Sequence, residues 1–246
     1  VTQDGISVIV PAWNVAGFIG EALASAQRQG GAIREIIVVD DGSTDGTAEA
    51  VRAIAAAEPR LRLLAADRRG PSGARNLGLA AATQPLIAFL DADDAWPAGR
   101  IERQLQRLAA ADRPDAVSGL VQRFRHLDPA TGRPADPTGD GQPHVNVGAC
   151  LFRRSVFDRI GGFDESLRQV EDFDLMFRLR EAGLRLVIRR EVALYYRIRP
   201  GSLTETAANE REKQVSALAV LRRSLARRRD RGGPIELPDF EAQLEP

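Results

Sequence analysis

Over the first hundred residues, short unbroken apolar runs alternate with helically spaced apolar faces. The run opening at Ile6 predicts a strand that Pro11 is expected to stop, and residues 17–29 follow with Phe18, Ile19, Leu23 and Ala26 on one helical face. Residues 33–39 repeat the strand pattern and lead into "DDGSTDGT", where Ser43 or Thr44 offers an N-cap for a helix over 45–57. Residues 61–65 predict a third strand. A glycine-marked loop entering a helix, "RGPSGARNLGLAAAT", then leads to a fourth strand over 86–90, which runs straight into Asp91, Asp93 and Asp94.

Strand–helix alternation repeated without a break predicts a parallel sheet wound by right-handed crossovers. A continuous apolar run such as 86–90 suits a strand buried on both faces. The polar residues then converge. Trp13 and Asn14, Asp40 and Asp41, and Asp91 with Asp93 all fall just past the carboxyl ends of predicted strands, and in a parallel sheet those ends share one edge. The acids of "LDADD" repel one another unless something positive intervenes, and a divalent metal is the obvious candidate. The plainer account, one Asp capping a helix whose first turn holds Pro97, needs one acid where three are present.

Beyond residue 100 the pattern changes. Residues 100–111 predict a helix and 115–124 a strand, whereas 126–146 carries four prolines and three glycines, too many for a regular element to run through. Residues 171–182, "EDFDLMFRLREA", are amphipathic, with Gly183 as a stop. Residues 186–188 and 192–198 predict short strands. A last helix over 206–231 carries a stripe of Val215, Leu218, Leu221 and Leu225 and ends in Arg222, Arg223, Arg227, Arg228 and Arg229. It reads either as a packed helix with a solvated basic end or as a contact with a membrane surface or partner. Residues 232–246 read as a loosely held acidic tail.

Composition narrows the chemistry. Lys plus Arg and Asp plus Glu are 34 each in 246 residues, a balance that argues against nucleic acid as the main partner. The one cysteine, Cys150, excludes an internal disulfide framework and a cysteine-based zinc site, and beside Ala149 and Leu151 it reads as a small buried residue. With two histidines, His126 and His144, a bound metal would take oxygen ligands, which favours Mg²⁺ or Mn²⁺. No apolar stretch reaches the length of a membrane span, and no signal-peptide pattern opens the chain, so the expectation is a soluble, cytoplasmic protein.

Seven motifs in order, "VIVPAWN", "VVDDGSTDGT", "GPSGARNLGL", "FLDADD", "GGFDE", "EDFDL" and "YRIRPGSLT", resemble those of the large inverting glycosyltransferase family two. The resemblance covers nearly all of residues 6–204. It implies the α/β GT-A fold, a mainly parallel central sheet flanked by helices, as one catalytic domain over 1–205. A nucleotide-binding half would reach to about residue 95 and an acceptor-binding half would follow, with a C-terminal helix and tail over 206–246.

The roles that follow are implied by the resemblance. Asp41 would accept from a uracil-like N–H, Trp13 would stack on the base beside Asn14, and Pro11 would shape the pocket wall. Asp40 would be structural. Arg75 would reach the ribose or diphosphate, while Asn76 organises its loop. Asp93 would be the direct ligand of Mg²⁺ or Mn²⁺, with Asp91 on the ribose or a metal-bound water and Asp94 as a helix cap. Asp172 would be the general base, and Glu171 would bind acceptor or sugar. Where many relatives carry a histidine, this chain has Arg199; arginine cannot ligate a metal but can bind diphosphate oxygens. The implied partners are a nucleotide-diphospho-sugar and a saccharide or lipid-linked acceptor. A phosphohydrolase, a nucleotidyltransferase and a non-catalytic sugar-nucleotide-binding subunit are the competing readings.

Overall fold

The structure is a computed structural model that describes residues 4–167, 169–199, 207–230 and 244–245, the side chains of 207–213 excepted. Four strands and three helices alternate through the first half: β1 (Ile6–Ala12), α1 (Ile19–Gln27), β2 (Ile33–Asp40), α2 (Thr47–Ala55), β3 (Leu61–Ala65), α3 (Gly70–Ala81) and β4 (Leu86–Phe89). Then come α4 (Arg100–Leu108), β5 (Ala116–Phe124), β6 (Thr138–Gln142), β7 (Leu151–Arg153), α5 (Arg154–Ile160), α6 (Glu171–Glu181), β8 (Leu186–Arg197), α7 (Ala207–Asp230) and β9 (Leu244–Glu245). The described strands form one mixed sheet in the order β3-β2-β1-β4-β7-β5-β8-β9, with β6 on β5. Pairs β1–β2, β2–β3 and β1–β4 are parallel, as expected; β7 runs antiparallel between β4 and β5.

Both faces of the first half are covered, which explains its unbroken apolar runs. Val8, Val10, Ala88 and Leu90 face α1, α2 and α4, while Ile9, Val39, Ile87 and Phe89 face α3, α5 and α6. Phe89 meets Phe152, Phe157 and Phe163 edge-on at 6.2, 5.7 and 5.1 Å, so β4 is anchored where the chain leaves it. Gly78 lets α3 lie on β1: a Cβ there would stand 2.4 Å from the Ile9 side chain.

Several expectations need correction. Pro11 does not stop β1. The Leu90 N–H donates to the Ile9 carbonyl, so the backbone of residue 11, two further on, points to the same side, where β4 has ended and no ladder bond is lost. Neither Ser43 nor Thr44 caps α2, whose N-cap is Gly46 in the left-handed region. The 126–146 segment contains β6, an edge strand whose two glycines the sheet margin tolerates. Residues 186–197 form one strand with register shifts rather than two. Strand β7 and helix α5 have no counterpart in the expected elements; the three residues of β7 carry no readable period.

Helix α7 packs on α6, but not by the expected stripe. Val220 and Ser224 are buried, Arg227 pairs with Glu181 at 2.6 Å, and Arg223 with Asp164 at 2.5 Å, while Val215 and Leu218 stay 62% and 58% exposed. The acids of α6 select the Ser224–Arg227 face, so much of the "solvated" basic end is paired. The 206 and 231 ends of that predicted helix, and the tail apart from β9, lie outside the described residues, as does the 200–204 part of "YRIRPGSLT". In β9, Glu245 pairs with Arg107 at 2.6 Å. Among the described residues no helix is long and apolar enough to cross a membrane.

Candidate active site

The carboxyl ends of β1, β2 and β4 do share an edge, and the loops leaving them are tied to one another. The Asn14 N–H donates to Ser43 Oγ at 2.9 Å and Asn14 Oδ1 accepts from the Thr44 N–H at 2.8 Å, which holds Asn14 at φ 50°. Trp13 is therefore presented outward, 47% exposed, with the Arg68 guanidinium 5.0 Å from its ring centroid. Asp40 accepts from the Ser43 N–H at 3.1 Å. Both oxygens of the buried Asp41 are engaged with backbone: Oδ1 accepts from Arg69 N–H and Oδ2 from Gly70 N–H, each at 2.7 Å. Asp41 thus fixes the turn into α3, and a base N–H would have to share those oxygens.

At the end of β4 each acid meets a different cation. Arg75, on α3 and 4% exposed, donates from Nη2 to Asp91 at 2.7 Å and from Nη1 to Glu171 at 2.6 Å, with its guanidinium 5.4 Å from the Phe163 centroid. Burial alone would lower its pKa, but the charges of Asp91, Glu171 and Asp172 outweigh burial and hold it raised. Its two terminal nitrogens join the β4 edge to the start of α6 rather than projecting into open space. Asn76 exchanges two hydrogen bonds with the Phe163 backbone, at 2.8 and 2.9 Å, and so docks "GGFDE" on α3.

Asp93 pairs with Arg199 Nε at 2.7 Å. Arg197, the last residue of β8, is buried, donates to the Asp93 carbonyl at 2.6 Å and also pairs with Glu21. Phe18 lies between them, 5.1 Å from the Arg197 guanidinium and 5.3 Å from that of Arg199. Sequence reasoning singled out Arg199 and missed Arg197 and Phe18 as parts of this site. Asp94 is not a helix cap: Gly99 is the N-cap of α4, Pro97 precedes that helix, and Asp94 accepts the Arg197 N–H at 2.8 Å. Burial, with Asp93 and Asp91 nearby, raises Asp94 well above the usual carboxylate range.

Asp172 sits in the first turn of α6 without capping it. Val170, the N-cap of α6, has φ 61°, a left-handed conformation that strains a β-branched residue. Asp172 Oδ2 accepts the Val147 N–H at 3.0 Å, while Oδ1 is buried with no hydrogen-bond partner. Burial, reinforced by Glu171 and Asp91 against the opposing Arg75 and Val147 N–H, pushes its pKa up to about 7. Val147, which nothing in the sequence marked, is the one residue that hydrogen-bonds this carboxylate among the described residues. Cys150 is buried, and burial pushes its thiol up to about 12, in keeping with a packing residue.

The edge therefore offers hard oxygen donors. Among the described residues no three His, Cys, Asp or Glu side chains gather as a ready-made metal cage. Two carboxylates at a strand end, Asp91 and Asp93, fit a cation such as Mg²⁺ or Mn²⁺ that takes one or two protein ligands and completes its shell with phosphate and water.

Comparison with known proteins agrees with this arrangement. The family model described as "Glycosyl transferase family 2" matches residues 7–161. The succinoglycan biosynthesis protein ExoO of Rhizobium meliloti is 34% identical over 259 residues, covering 92% of this chain and 73% of that protein. ExoU of the same organism is 32% identical, covering 81% of this chain and 64% of its own length. Among solved structures, S. aureus TarS 1–349 in complex with UDP shares 19% identity at TM-score 0.68, with 91% of this chain and 65% of that one covered. Mannosyltransferase PcManGT from Pyrobaculum calidifontis, in complex with GDP-Man and Mn²⁺, shares 24% at TM-score 0.69 over the same shares. The structural likenesses establish the GT-A fold, and the family match together with ExoO shows that the chain belongs to glycosyl transferase family 2.

Proposed function

We propose that this chain transfers a sugar, with inversion, from a nucleoside-diphosphate sugar to a hydroxyl of a saccharide or lipid-linked saccharide during polysaccharide assembly. The observation that carries the mechanism is the Asp172 carboxylate: one oxygen held by Val147, the other bare, and a pKa lifted to about 7. A general base works best when poised near the operating pH. The acceptor O–H proton passes to Asp172 Oδ1 as the acceptor oxygen bonds to the anomeric carbon. The bond from that carbon to the diphosphate oxygen breaks, and the nucleoside diphosphate leaves with the electron pair.

The leaving group would lie along the other edge. Trp13 offers an aromatic face for the base, Asn14 and Pro11 shape its pocket wall, and Asp41 retains acceptor capacity toward it. Asp93 would hold Mg²⁺ or Mn²⁺ directly, with Asp91 on the ribose or through water; the cation would supply charge neutralisation at the diphosphate. Arg199, beside Asp93, can take diphosphate oxygens, and Glu171 faces the sugar or acceptor. Uridine diphosphate is the proposed carrier. The nucleotides present in TarS and PcManGT, and the Mn²⁺ in the latter, support a nucleotide-sugar donor and a divalent metal. The exposed Val215 and Leu218 on a basic helix support action at the cytoplasmic face of a membrane.

The test is Asp172→Asn. Transfer should fall by roughly 10²–10⁴-fold, while calorimetric affinity for UDP with Mn²⁺ stays within about twofold, since the substitution leaves the strand-edge donor site intact. Full transfer in the variant would overturn the assignment of the base. Nucleotide binding with transfer in neither protein would leave the non-catalytic binding subunit as the correct reading.

A further inference from the structure

One buried charge is not used by this mechanism. Arg100, the first residue of α4, is 1% exposed and has no acid partner among the described residues. An uncompensated buried cation is expensive, so its hydrogen bonds must be specific. Its Nη1 donates to the Gly148 carbonyl and its Nη2 to the Cys150 carbonyl, both at 2.8 Å, while Nε donates to Gln104 Oε1 at 2.9 Å. Trp96, whose ring centroid is 4.2 Å from that guanidinium, donates from Nε1 to the same Gly148 carbonyl at 3.1 Å. Gln104 turns its amide to the Ala149 carbonyl at 2.8 Å. Three side chains from α4 and the turn before it thus grip three successive carbonyls, 148 to 150.

The gripped segment is a single 3-10 turn, Val147–Ala149, closed by Asn146 Oδ1 accepting the Gly148 N–H at 2.7 Å. Its first N–H, that of Val147, is the donor to Asp172. A turn of three residues has little stability of its own, so the direction of that N–H depends on what holds the carbonyls behind it. We propose that Arg100, with Trp96 and Gln104, is a positioning device for the catalytic base: it sets the Val147 N–H against Asp172 Oδ2 and so fixes the orientation and proton affinity of that carboxylate. The inference rests on the assignment of Asp172 as base.

Arg100 acts on the base through a hydrogen bond, and that bond can be removed separately. Val147 is the first residue of its turn, where proline fits the backbone and lacks only the N–H. Glu171, Arg75 and Asp91 also act electrostatically on Asp172 and are unchanged in these variants. The experiment follows the Asp172 carboxyl carbon by NMR from pH 4 to 9 in wild type, Arg100→Lys, Val147→Pro and the double variant, with Asp172→Asn identifying the resonance. A donor N–H favours the charged carboxylate, so its loss should raise the Asp172 midpoint by about one pH unit in each single variant. The double variant should rise no further, because both changes cut the same link. Trp96→Phe, which leaves Arg100 on Gly148, should give a smaller rise and serves if Arg100→Lys does not fold. A midpoint unmoved in folded Arg100→Lys or Trp96→Phe, or shifts that add in the double variant, would overturn the positioning role. Asp172→Asn retaining full transfer would instead strike the underlying assignment, and the two failures are separable.

Discussion

Asp91 and Asp93 on one side of the site and Asp172 on the other are held in opposite ways. At the end of β4, Asp91 and Asp93 each hold an arginine at 2.7 Å, Arg75 and Arg199 respectively. At the start of α6, Asp172 has a peptide N–H for a partner and one bare oxygen. Each of the arginine pairs sets a carboxylate against a guanidinium through a charge-assisted hydrogen bond. An acid kept from water and faced by other acids holds its proton more tightly and can exchange it near neutrality. Under the proposed mechanism the leaving group would lie on the side of the arginine-paired acids and proton transfer on the side of Asp172.

Arg75 is where the two sides meet, and removing it should produce the largest change. It touches Asp91 on one side and Glu171 on the other, from a position that is 4% exposed. Arg75→Met would leave two carboxylates facing each other without their cation. Stability in urea should fall by about 3–5 kcal/mol, the cost of breaking a buried ion pair from one side. The Asp172 midpoint should also rise, because Arg75 is the cation that holds it down. A variant with wild-type stability and an unchanged midpoint would show that the two sides are electrostatically independent.

The same contrast explains what could be read from the sequence. Trp13, Asn14, Asp41, Asp91 and Asp93 lie at the ends of parallel strands, and strand periodicity locates those ends, so their convergence follows from topology. The arginines opposite them do not follow. Nothing in "GARN" says that Arg75 is spent on two carboxylates, because the second, Glu171, is 96 residues away in sequence. Asp172 could be assigned only by family resemblance, since its setting depends on the strained Val170 and on the Val147 N–H, features with no local period. The antiparallel β7 between β4 and β5 was equally invisible, three residues long and fixed by its neighbours. The stripe on α7 misled because charge pairing with Glu181, rather than apolar burial, chose the face that docks.

A proton held more tightly in the folded state also leaves a mark on stability. The folded Asp172 keeps its proton up to about pH 7, whereas the unfolded chain loses it near the ordinary value of 3.8. Between those limits the folded state binds more protons, so the contribution of this group to stability falls as pH rises. Its size is on the order of 2 kcal/mol after allowance for partial solvent screening. Asp172→Asn, which cannot ionise, should lose that slope while Asp94, raised in the same direction, retains its own. Urea melts at pH 4.5, 6 and 8 in both proteins would measure the difference; parallel curves would mean that Asp172 is not held protonated by the fold.

The smallest effect tests the charged side. Arg199 and a divalent cation would both use Asp93, and the pair is partly exposed, with side chains 25% and 24% accessible. An ion pair in that setting is worth about 0.2–1 kcal/mol. Displacing Arg199 therefore opposes metal binding modestly, and Arg199→Ala should bind Mn²⁺ in the absence of nucleotide up to about fivefold more tightly by calorimetry, following the same energy. Transfer by the wild type should correspondingly depend less steeply on Mn²⁺ than transfer by the variant, because Arg199, once released, can meet diphosphate oxygens that otherwise rely on the metal. An absolute, tight metal requirement in the wild type, unchanged by Arg199→Ala, would mean that Arg199 and the cation do not compete for Asp93.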